Sequence, residues 1–345
     1  MSRPAVTVVK GVCMDPYVIE RLRPGDHVCV TYDDDEQRRA ALVGSARAGV
    51  RHHHRLIYFA GWPRETVLAD LEAGGLDARG LLDAGQVQVR SSAEGYLPGG
   101  RFEPEAVIGC WSREIATARD RGYAGLRVIG DMTWAAGRVP GGERLEWYEA
   151  EVNRVFAGGY AMALCQYDRR LFAPERLACL SAAHPSTFTP NAPIGWRPLL
   201  RILRTDDPPG VRLAGEADAS NRAALAATLA VLPDDFAGVE VPLTLDVERL
   251  RFADAAAARL LVRAAGSVPG GVRFVGCSPP LVRLMKLAGH DLRLVGRGAG
   301  PQGHSGNRDI GHMNPGPVGS RRGAGPDAGE AAGGTGGEGR PEALR

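Results

Sequence analysis

Short apolar runs alternate with longer amphipathic stretches over the first two hundred residues of the chain. Apolar runs of five to eight residues are typical of strands buried on both faces, and amphipathic stretches of helical period are typical of covering helices. Strand and helix in regular succession predict an α/β fold with a largely parallel sheet. The predicted strands are His27–Tyr32, Arg55–Ala60, Gln86–Arg90, Leu126–Gly130 and Tyr160–Tyr167, and the predicted helices are Glu36–Val50, Pro63–Ala73, Pro104–Arg121, Glu143–Ala157 and Pro174–Ala183.

A shorter region with the same alternation follows a break rich in proline and aspartate, TDDPPG at Thr205–Gly210. Such composition punctuates regular structure, and we place the boundary between two domains there. The first predicted domain spans residues 15–200, and the second, a small α/β sandwich, spans residues 205–298. Residues 299–345 are rich in glycine and contain no aromatic residue except histidine, so that we expect a disordered tail.

The charge balance argues against several classes of partner. The 345 residues include 42 basic and 40 acidic ones, which gives a formal net charge of +2. We therefore expect no nucleic-acid partner. The chain also shows no long apolar run and no secretory leader pattern, so we expect a cytoplasmic protein that does not bind a membrane. The six cysteines are scattered, which is typical of reduced core thiols.

The loop after the first predicted strand lacks the features of a phosphate-binding loop. It reads Asp33-Asp34-Asp35-Glu36, with neither glycine nor lysine, and the only lysines of the chain, Lys10 and Lys286, lie outside any G-x-x-x-x-G-K-[ST] motif. The chain also lacks a nucleophile elbow, a zinc-protease pair and a dinucleotide-binding turn. We therefore predict no catalytic residues and no cofactor, and we expect that the protein is not an enzyme.

Two patterns in the first domain suggest a metal, and each has a more ordinary interpretation. The four acidic residues suit the start of a helix, although Asp33 and Asp35 could instead hold a divalent cation. His27 and Cys29 alternate along the first strand and so point to the same face, where a third ligand could complete a metal site. Packing is the commoner role of such a pair, and we predict no metal.

Four motifs in the second region occur in the order found in a known family. They are GEAD at Gly215–Asp218, a buried strand ending in Asp246, LRFADAAAARLLV at Leu250–Val262 and SPPLVRLMKLAGHD at Ser278–Asp291. In this order they resemble the STAS domain, the module of sulfate transporters and anti-sigma factor antagonists. The lack of a long apolar run favours the antagonist branch.

The STAS resemblance implies a partner-binding surface at the turn before the second helix of the region. In the antagonists this turn reads Asp-Ser-Ser-Gly, and a partner kinase phosphorylates the first serine to release the complex. Here the turn reads Asp254-Ala255-Ala256-Ala257, so that no hydroxyl is present at Ala255. The resemblance therefore implies partner contacts at Asp254, Ala255 and Ala256 without the phosphate switch. Asp254 also suits the N-cap of the helix that follows.

The first region resembles the MEDS domain, a sensory module of bacterial regulators. The residues that carry this resemblance are GDHVCVTYDDDEQ at Gly25–Gln37, RLIYFA at Arg55–Ala60 and GLRVIGDMTWA at Gly125–Ala135. The resemblance implies a RecA-like parallel sheet without the phosphate loop, and the sensing of a small hydrocarbon-derived molecule. Because open α/β sheets bind ligands at the carboxyl ends of their strands, the candidate ligand-binding residues are Tyr32, Asp131 and Trp134.

These observations lead to one interpretation and two alternatives. We expect a regulatory protein in which a MEDS-like sensor is coupled to a STAS-like module that binds a kinase-type anti-sigma factor or a similar regulator. The first alternative is a nucleotide- or metal-binding ATPase relic with residual activity, with Asp131 and the acidic loop as metal ligands. The second is a purely structural adaptor in which both domains bind only proteins.

Overall fold

Six strands form the first sheet of the molecule. The computed structural model describes residues 19–193 and 195–289. The strands are β1 (His27–Tyr32), β2 (His54–Ala60), β3 (Val87–Ser91), β4 (Gly125–Asp131), β5 (Ala161–Asp168) and β6 (Ser186–Phe188). They pair in the order β3-β2-β4-β5-β1-β6, and every pair is parallel. The predicted parallel sheet is therefore confirmed, with β6 as an additional edge strand.

Helices connect the strands of this sheet and cover both of its faces. They are α1 (Asp35–Arg51), α2 (Arg64–Ala73), α3 (Ala78–Asp83), α4 (Ser92–Tyr96), α5 (Pro104–Asp120), α6 (Leu145–Glu151), α7 (Asn153–Ala157) and α8 (Pro174–Ala182). The predicted helix Glu143–Ala157 is thus two short helices.

The acidic loop after β1 begins the helix α1. Asp34 is the N-cap, and its side chain accepts a hydrogen bond from the Gln37 backbone N–H at 2.9 Å. On either side of the cap, Asp33 pairs with Arg169 at 3.2 Å and Asp35 pairs with Arg170 at 2.8 Å. The prediction of an acidic N-cap is confirmed, and arginines balance the two flanking carboxylates.

Alternate residues of each strand enter two separate apolar cores. Cys29 and Val128 belong to the core on one face of the sheet, whereas Val30, Tyr58 and Ile129 belong to the core on the other face. We call these the α6 face and the α1 face, because Tyr148 of α6 lies in the first core and Leu42 of α1 lies in the second. Burial on both faces explains why these strands appear in the sequence as continuous apolar runs.

A second, mixed sheet of four strands follows. Its strands are β7 (Leu200–Asp206), β8 (Pro209–Ala217), β9 (Leu243–Ala253) and β10 (Val272–Val275), in the order β10-β9-β8-β7. The strands β7 and β8 pair antiparallel, and the other two pairs are parallel. The helices of this region are α9 (Arg222–Ala230), α10 (Leu232–Asp235), α11 (Ala255–Ser267) and α12 (Pro279–Leu287).

The TDDPPG break lies inside the second sheet. Residues 205–210 form the turn of the β7–β8 hairpin, with Asp206 opposite Pro209. Proline and aspartate favour tight turns as well as linkers, and here they reverse the chain between two paired strands. The second sheet therefore begins at Leu200, before the boundary that we placed at residue 205. The predicted tail, residues 299–345, lies outside the described residues.

The second sheet and its helices pack against the first region. Helix α9 lies against α6 and α7, and Ala157 of α7 belongs to the apolar core of the second sheet. Beside this contact, the Arg201 guanidinium of β7 binds both oxygens of the buried Asp26 carboxylate, at 2.7 and 3.0 Å. The structure contains no helix, among the residues that it describes, that is long and apolar enough to cross a membrane.

Candidate functional site

The carboxyl ends of β1 and β4 bring Tyr32 and Asp131 into one polar region. Both side chains are buried. The Asp131 carboxylate accepts hydrogen bonds from the backbone N–H of Gly61 at 3.2 Å and of Thr133 at 3.0 Å. Burial, and then the nearby Asp131 carboxylate, raise the pKa of Tyr32. The ligand-binding role of these two residues stays a prediction, and the structure gives them a common location on the α1 face.

Trp134 does not share this location. It lies in a short 3-10 turn, Thr133–Ala136, and stacks on Tyr96 with 5.5 Å between ring centroids. Phe102 lies 5.0 Å away, and all three rings pack with the core on the α6 face. The turn breaks the strand alternation after Asp131, so that Trp134 reaches the opposite side of the sheet. Trp134 therefore packs apart from Tyr32, and its ligand-binding role stays a prediction.

Three buried side chains beside Asp131 were not among the predicted site residues. They are Arg38 of α1, Tyr58 of β2 and Gln166, which is aligned with Asp131 on β5. The Arg38 Nε and Nη1 atoms, the Tyr58 hydroxyl and the Gln166 Oε1 atom lack a hydrogen bond of normal geometry within the described part of the chain. Arg38 and Tyr58 also interact with each other. Incompletely hydrogen-bonded buried polar atoms are costly, and a bound molecule is one means of satisfying them.

A second polar cluster lies on the α6 face and consists of His27, Glu149, Cys165 and His184. All four side chains are buried, and their ligand atoms lie within 4.8 Å of one another. Three of these atoms surround Glu149 Oε2: His27 Nε2 at 3.3 Å, His184 Nε2 at 3.3 Å and Cys165 Sγ at 3.6 Å. His27 Nε2 also lies 3.3 Å from Cys165 Sγ. We call these residues the His–Glu–Cys cluster.

Burial and mutual contact shift the pKa values in the His–Glu–Cys cluster. Burial, and then His184, lower the pKa of His27. Burial alone would raise the pKa of Glu149, but the neighbouring imidazoles of His184 and His27, in their protonated form, hold it well below the usual carboxylate range. Burial, and then the Glu149 charge, raise the pKa of the Cys165 thiol. The cluster thus combines an ionised carboxylate with two imidazoles and a thiol in a region away from solvent.

Only part of this cluster follows from the sequence pattern. His27 and Cys29 face the same side, as predicted, but Cys29 instead lies 3.7 Å from Ser181 Oγ. Glu149 comes from α6, and His184 follows the end of α8. One signal was present: Glu149 lies four residues after Leu145 in the buried helical pattern, where a charged residue needs a partner.

The predicted partner surface lies at the start of α11. The Asp254 side chain caps this helix by accepting from the Ala257 backbone N–H at 2.7 Å, so the predicted N-cap is confirmed. Its other oxygen pairs with Arg222 at 3.2 Å. Ala255 is exposed, and Phe252, just before the turn, leaves 51% of its surface exposed. An acidic group beside exposed apolar side chains forms this surface.

A cleft of about 500 Å³ lies near the amino-terminal ends of β2 and β4. The buried Arg127 donates from Nε to His54 Nδ1 at 3.1 Å and from Nη2 to the Leu22 carbonyl at 2.7 Å. Trp196 and Arg201 complete this part of the wall. None of the predicted site residues lines this cleft.

Comparison with known families agrees with this two-part architecture. The fold defines an α/β protein with two sheets, each covered by helices. Residues 26–185 match the family described as MEDS, the MEthanogen/methylotroph, DcmR Sensory domain. Residues 200–296 match the family described as Mlab, STAS domain. The chain therefore contains a MEDS domain followed by a STAS domain, and this combination indicates a sensory or regulatory signalling protein.

More distant comparisons add little. No curated protein matches the sequence. A solved structure, the KaiC-like protein PH0186 from Pyrococcus horikoshii OT3, is similar to 55% of this chain over 79% of its own length, with 9% identity and a TM-score of 0.35.

Proposed function

We propose that the MEDS domain binds a small organic molecule beside Asp131 and that the STAS domain binds a regulatory protein at the start of α11. The observation that carries the first part is the group of buried polar side chains of Arg38, Tyr58 and Gln166, in which Arg38 and Tyr58 interact with each other but the group as a whole has fewer well-formed hydrogen bonds than it has polar atoms. They lie beside Asp131 at the carboxyl end of β4, on the edge of a parallel sheet where α/β proteins bind ligands. On this proposal the protein is a regulator and not an enzyme.

The polar atoms beside Asp131 define the chemistry of the ligand. Arginine nitrogens can only donate hydrogen bonds, so that Arg38, whose Nε and Nη1 lack a well-formed hydrogen bond, favours a ligand with an acceptor oxygen. The surrounding α1-face core supplies apolar contacts. A small oxygenated hydrocarbon derivative satisfies both requirements, in agreement with the ligand class that the MEDS resemblance implies.

The docking surface on the STAS domain supports a protein partner. Phe252 and Ala255 present exposed apolar surface beside the Asp254–Arg222 pair. We propose a kinase-type anti-sigma factor or a related regulator as the partner. Because Ala255 cannot be phosphorylated, control of this complex would come from the sensor or from the level of expression.

Helix α9 offers a physical connection between the two regions. It packs against α6 and α7 of the MEDS domain and against α11 of the STAS domain. Its first residue, Arg222, pairs with Asp254 on the docking surface. A ligand that alters the position of α9 would therefore alter the surface that the partner contacts, which is what coupling between the two sites requires.

Substitutions at Ala255 test the partner proposal. Ala255→Glu places a negative charge where the related antagonists carry a phosphate, and Ala255→Gln is the matched neutral control; both leave the Asp254 cap in place. We expect the full-length protein to capture a kinase-type anti-sigma factor from its host, identified by mass spectrometry. The purified pair should bind in the wild type and in the glutamine variant, and at least tenfold more weakly in the glutamate variant. Equal binding by all three proteins would refute this docking surface.

The ligand proposal is tested separately, by native mass spectrometry of the full-length protein and of Arg38→Gln. We expect a small molecule to accompany the wild type and to be lost from the variant. Binding of ATP and magnesium with a dissociation constant below about 100 μM would instead favour the nucleotide-binding alternative. Absence of any bound molecule, together with no thermal shift from a panel of small alcohols, aldehydes and carboxylic acids, would favour the adaptor.

A further inference from the structure

We propose that His27, Glu149, Cys165 and His184 together bind one transition-metal ion, and that Zn²⁺ matches their ligand atoms best. Two imidazoles, one thiolate and one carboxylate are ligands that zinc accepts, and four protein ligands complete a tetrahedral structural site. This inference goes beyond the proposed function and does not depend on it, because the cluster lies on the face of the sheet opposite to the Asp131 region.

Four of the six separations between the ligand atoms are close to the edges of a zinc tetrahedron. Ligand atoms bound at about 2.0–2.3 Å to one tetrahedral ion lie about 3.3–3.6 Å from one another. Glu149 Oε2 lies 3.3 Å from His27 Nε2, 3.3 Å from His184 Nε2 and 3.6 Å from Cys165 Sγ. A normal N–H···O hydrogen bond is shorter, at about 2.7–3.2 Å. The two nitrogen contacts to this oxygen are therefore slightly longer than usual hydrogen bonds and fit a shared ion, and the sulfur contact is compatible with the same ion.

The second nitrogen of each imidazole is held in the manner of a metal ligand. The Asn153 side-chain nitrogen donates to three backbone carbonyls, those of Glu149, Ala150 and Ala183, each at 2.9 Å. Asn153 Oδ1 is thereby fixed as an acceptor, and it lies 2.9 Å from His27 Nδ1. This arrangement places the ring proton of neutral His27 on Nδ1 and leaves the Nε2 lone pair facing the cluster.

The remaining ligands are oriented in the same way. His184 Nδ1 lies 2.8 Å from the Leu180 carbonyl, which can only accept, so that Nδ1 carries a proton and, in the neutral ring, the Nε2 lone pair faces Glu149. That nitrogen has no hydrogen bond of normal geometry in the described structure. The Tyr167 hydroxyl donates to Glu149 Oε1 at 2.5 Å and leaves Oε2 for the ion. Hydrogen bonds to the outer atoms of metal ligands are a usual feature of zinc sites.

The charge in this region also favours a cation. Two imidazole lone pairs and a carboxylate oxygen converge where none of the four residues is exposed to solvent. Lone pairs facing a carboxylate repel one another unless a proton or a metal ion lies between them. A zinc ion would interact favourably with all of them, and Cys165 would release its proton to solvent on binding as a thiolate.

Metal analysis of the refolded full-length protein tests this inference. The burial of all four ligands implies that the ion enters during folding, so the chain is unfolded with a chelator and refolded with or without one equivalent of Zn²⁺. We expect about one zinc ion per chain after dialysis, together with a higher melting temperature. Refolding with Co²⁺ should give the absorption bands of a tetrahedral site with one thiolate ligand.

Matched variants separate this site from adventitious binding. His52 and His53 are exposed and adjacent, so they are where adventitious zinc would bind on the surface. The double variant His52→Gln/His53→Gln removes both imidazoles and should still bind one zinc ion. Cys29→Ser is the control for Cys165→Ser, because the two cysteines are aligned on neighbouring strands. Only Cys165→Ser should abolish the thiolate band of the cobalt protein.

A conservative variant keeps the test valid if removal of a ligand prevents folding. Tyr167→Phe retains the ring and removes only the hydroxyl that orients Glu149. We expect it to fold and to bind zinc about 10- to 100-fold more weakly. Two results would overturn the inference: a refolded wild-type chain with native circular dichroism that takes up no zinc, or zinc binding that is unchanged in both Cys165→Ser and Tyr167→Phe.

Discussion

The Arg127–His54 pair in the cleft predicts a specific loss of stability in acid. The Arg127 Nε–H can only donate, so His54 Nδ1 must accept and the ring must be neutral in the folded protein. Burial, and then the charges of Arg127, His52 and His53, lower the pKa of His54 from 6.5 to about 4. The unfolded chain has no such constraint and gains a proton near the ordinary histidine pKa.

The sign and size of the effect follow from proton linkage. Between the two pKa values the unfolded state binds more protons than the folded state, so stability falls as the pH falls below 6.5. From pH 7 to pH 5 the contribution of this one histidine is about 1 to 2 kcal/mol, after allowance for solvent in the cleft. Further loss should cease once the pH passes below the folded-state pKa.

A variant that cannot titrate isolates this contribution. His54→Asn keeps an acceptor oxygen near the position of Nδ1 and removes the ring that gains a proton. Urea unfolding of both proteins from pH 7.5 to pH 4.5 should show that the wild type loses about 1 to 2 kcal/mol more than the variant on acidification. The other histidines contribute equally to both proteins. Parallel stability curves would show that His54 is not held neutral in the folded protein.

Two further predictions concern packing. Arg201→Met should lower the free energy of unfolding, measured in urea, by about 2 to 3 kcal/mol, because the buried Asp26 carboxylate loses its guanidinium partner. A loss below about 0.5 kcal/mol would contradict a structural role for this ion pair. Gly141→Ala should cost more than Gly99→Ala, about 2 against about 1 kcal/mol, by thermal unfolding. Both glycines have positive φ angles, but a Cβ atom at Gly141 would collide with the Phe102 carbonyl, whereas the space around Gly99 is open. Equal losses in the two variants would contradict this contact.

The elements of the first sheet were predictable because burial on both faces leaves a strong pattern. The β1 strand, His27–Tyr32, has the bounds that the apolar run predicts. The β6 and β7 strands were missed for different reasons. β6 has only three residues, and β7 is half exposed along its length and ends at the prolines that we interpreted as a break. Strand pairing rather than the local sequence defines both of them: β6 pairs with the distant β1, and β7 pairs with β8 across the hairpin.

The candidate site was predictable only where a topological rule applies. That rule brought Tyr32 and Asp131 together, because both lie at the carboxyl ends of parallel strands. It could not place Trp134, because a single irregular turn after a strand decides which face the next side chain reaches. It also could not reveal the His–Glu–Cys cluster, whose members are separated by more than a hundred residues at the widest and meet only after the sheet has formed.

The positions of the two polar regions bear on how this protein could transmit a signal. The Asp131 region lies on the α1 face, whereas the STAS domain packs beside α6 and α7 on the other side of the sheet. A ligand beside Asp131 must therefore act through the strands themselves. The β5 strand spans both sides: Gln166 lies beside Asp131, and the adjacent Cys165 belongs to the His–Glu–Cys cluster. Glu149 of this cluster lies on α6, which contacts α9. An ion that fixes Cys165 to Glu149 would make this route rigid, so that loss of the metal should weaken any effect of the ligand on the STAS surface before it weakens ligand binding itself.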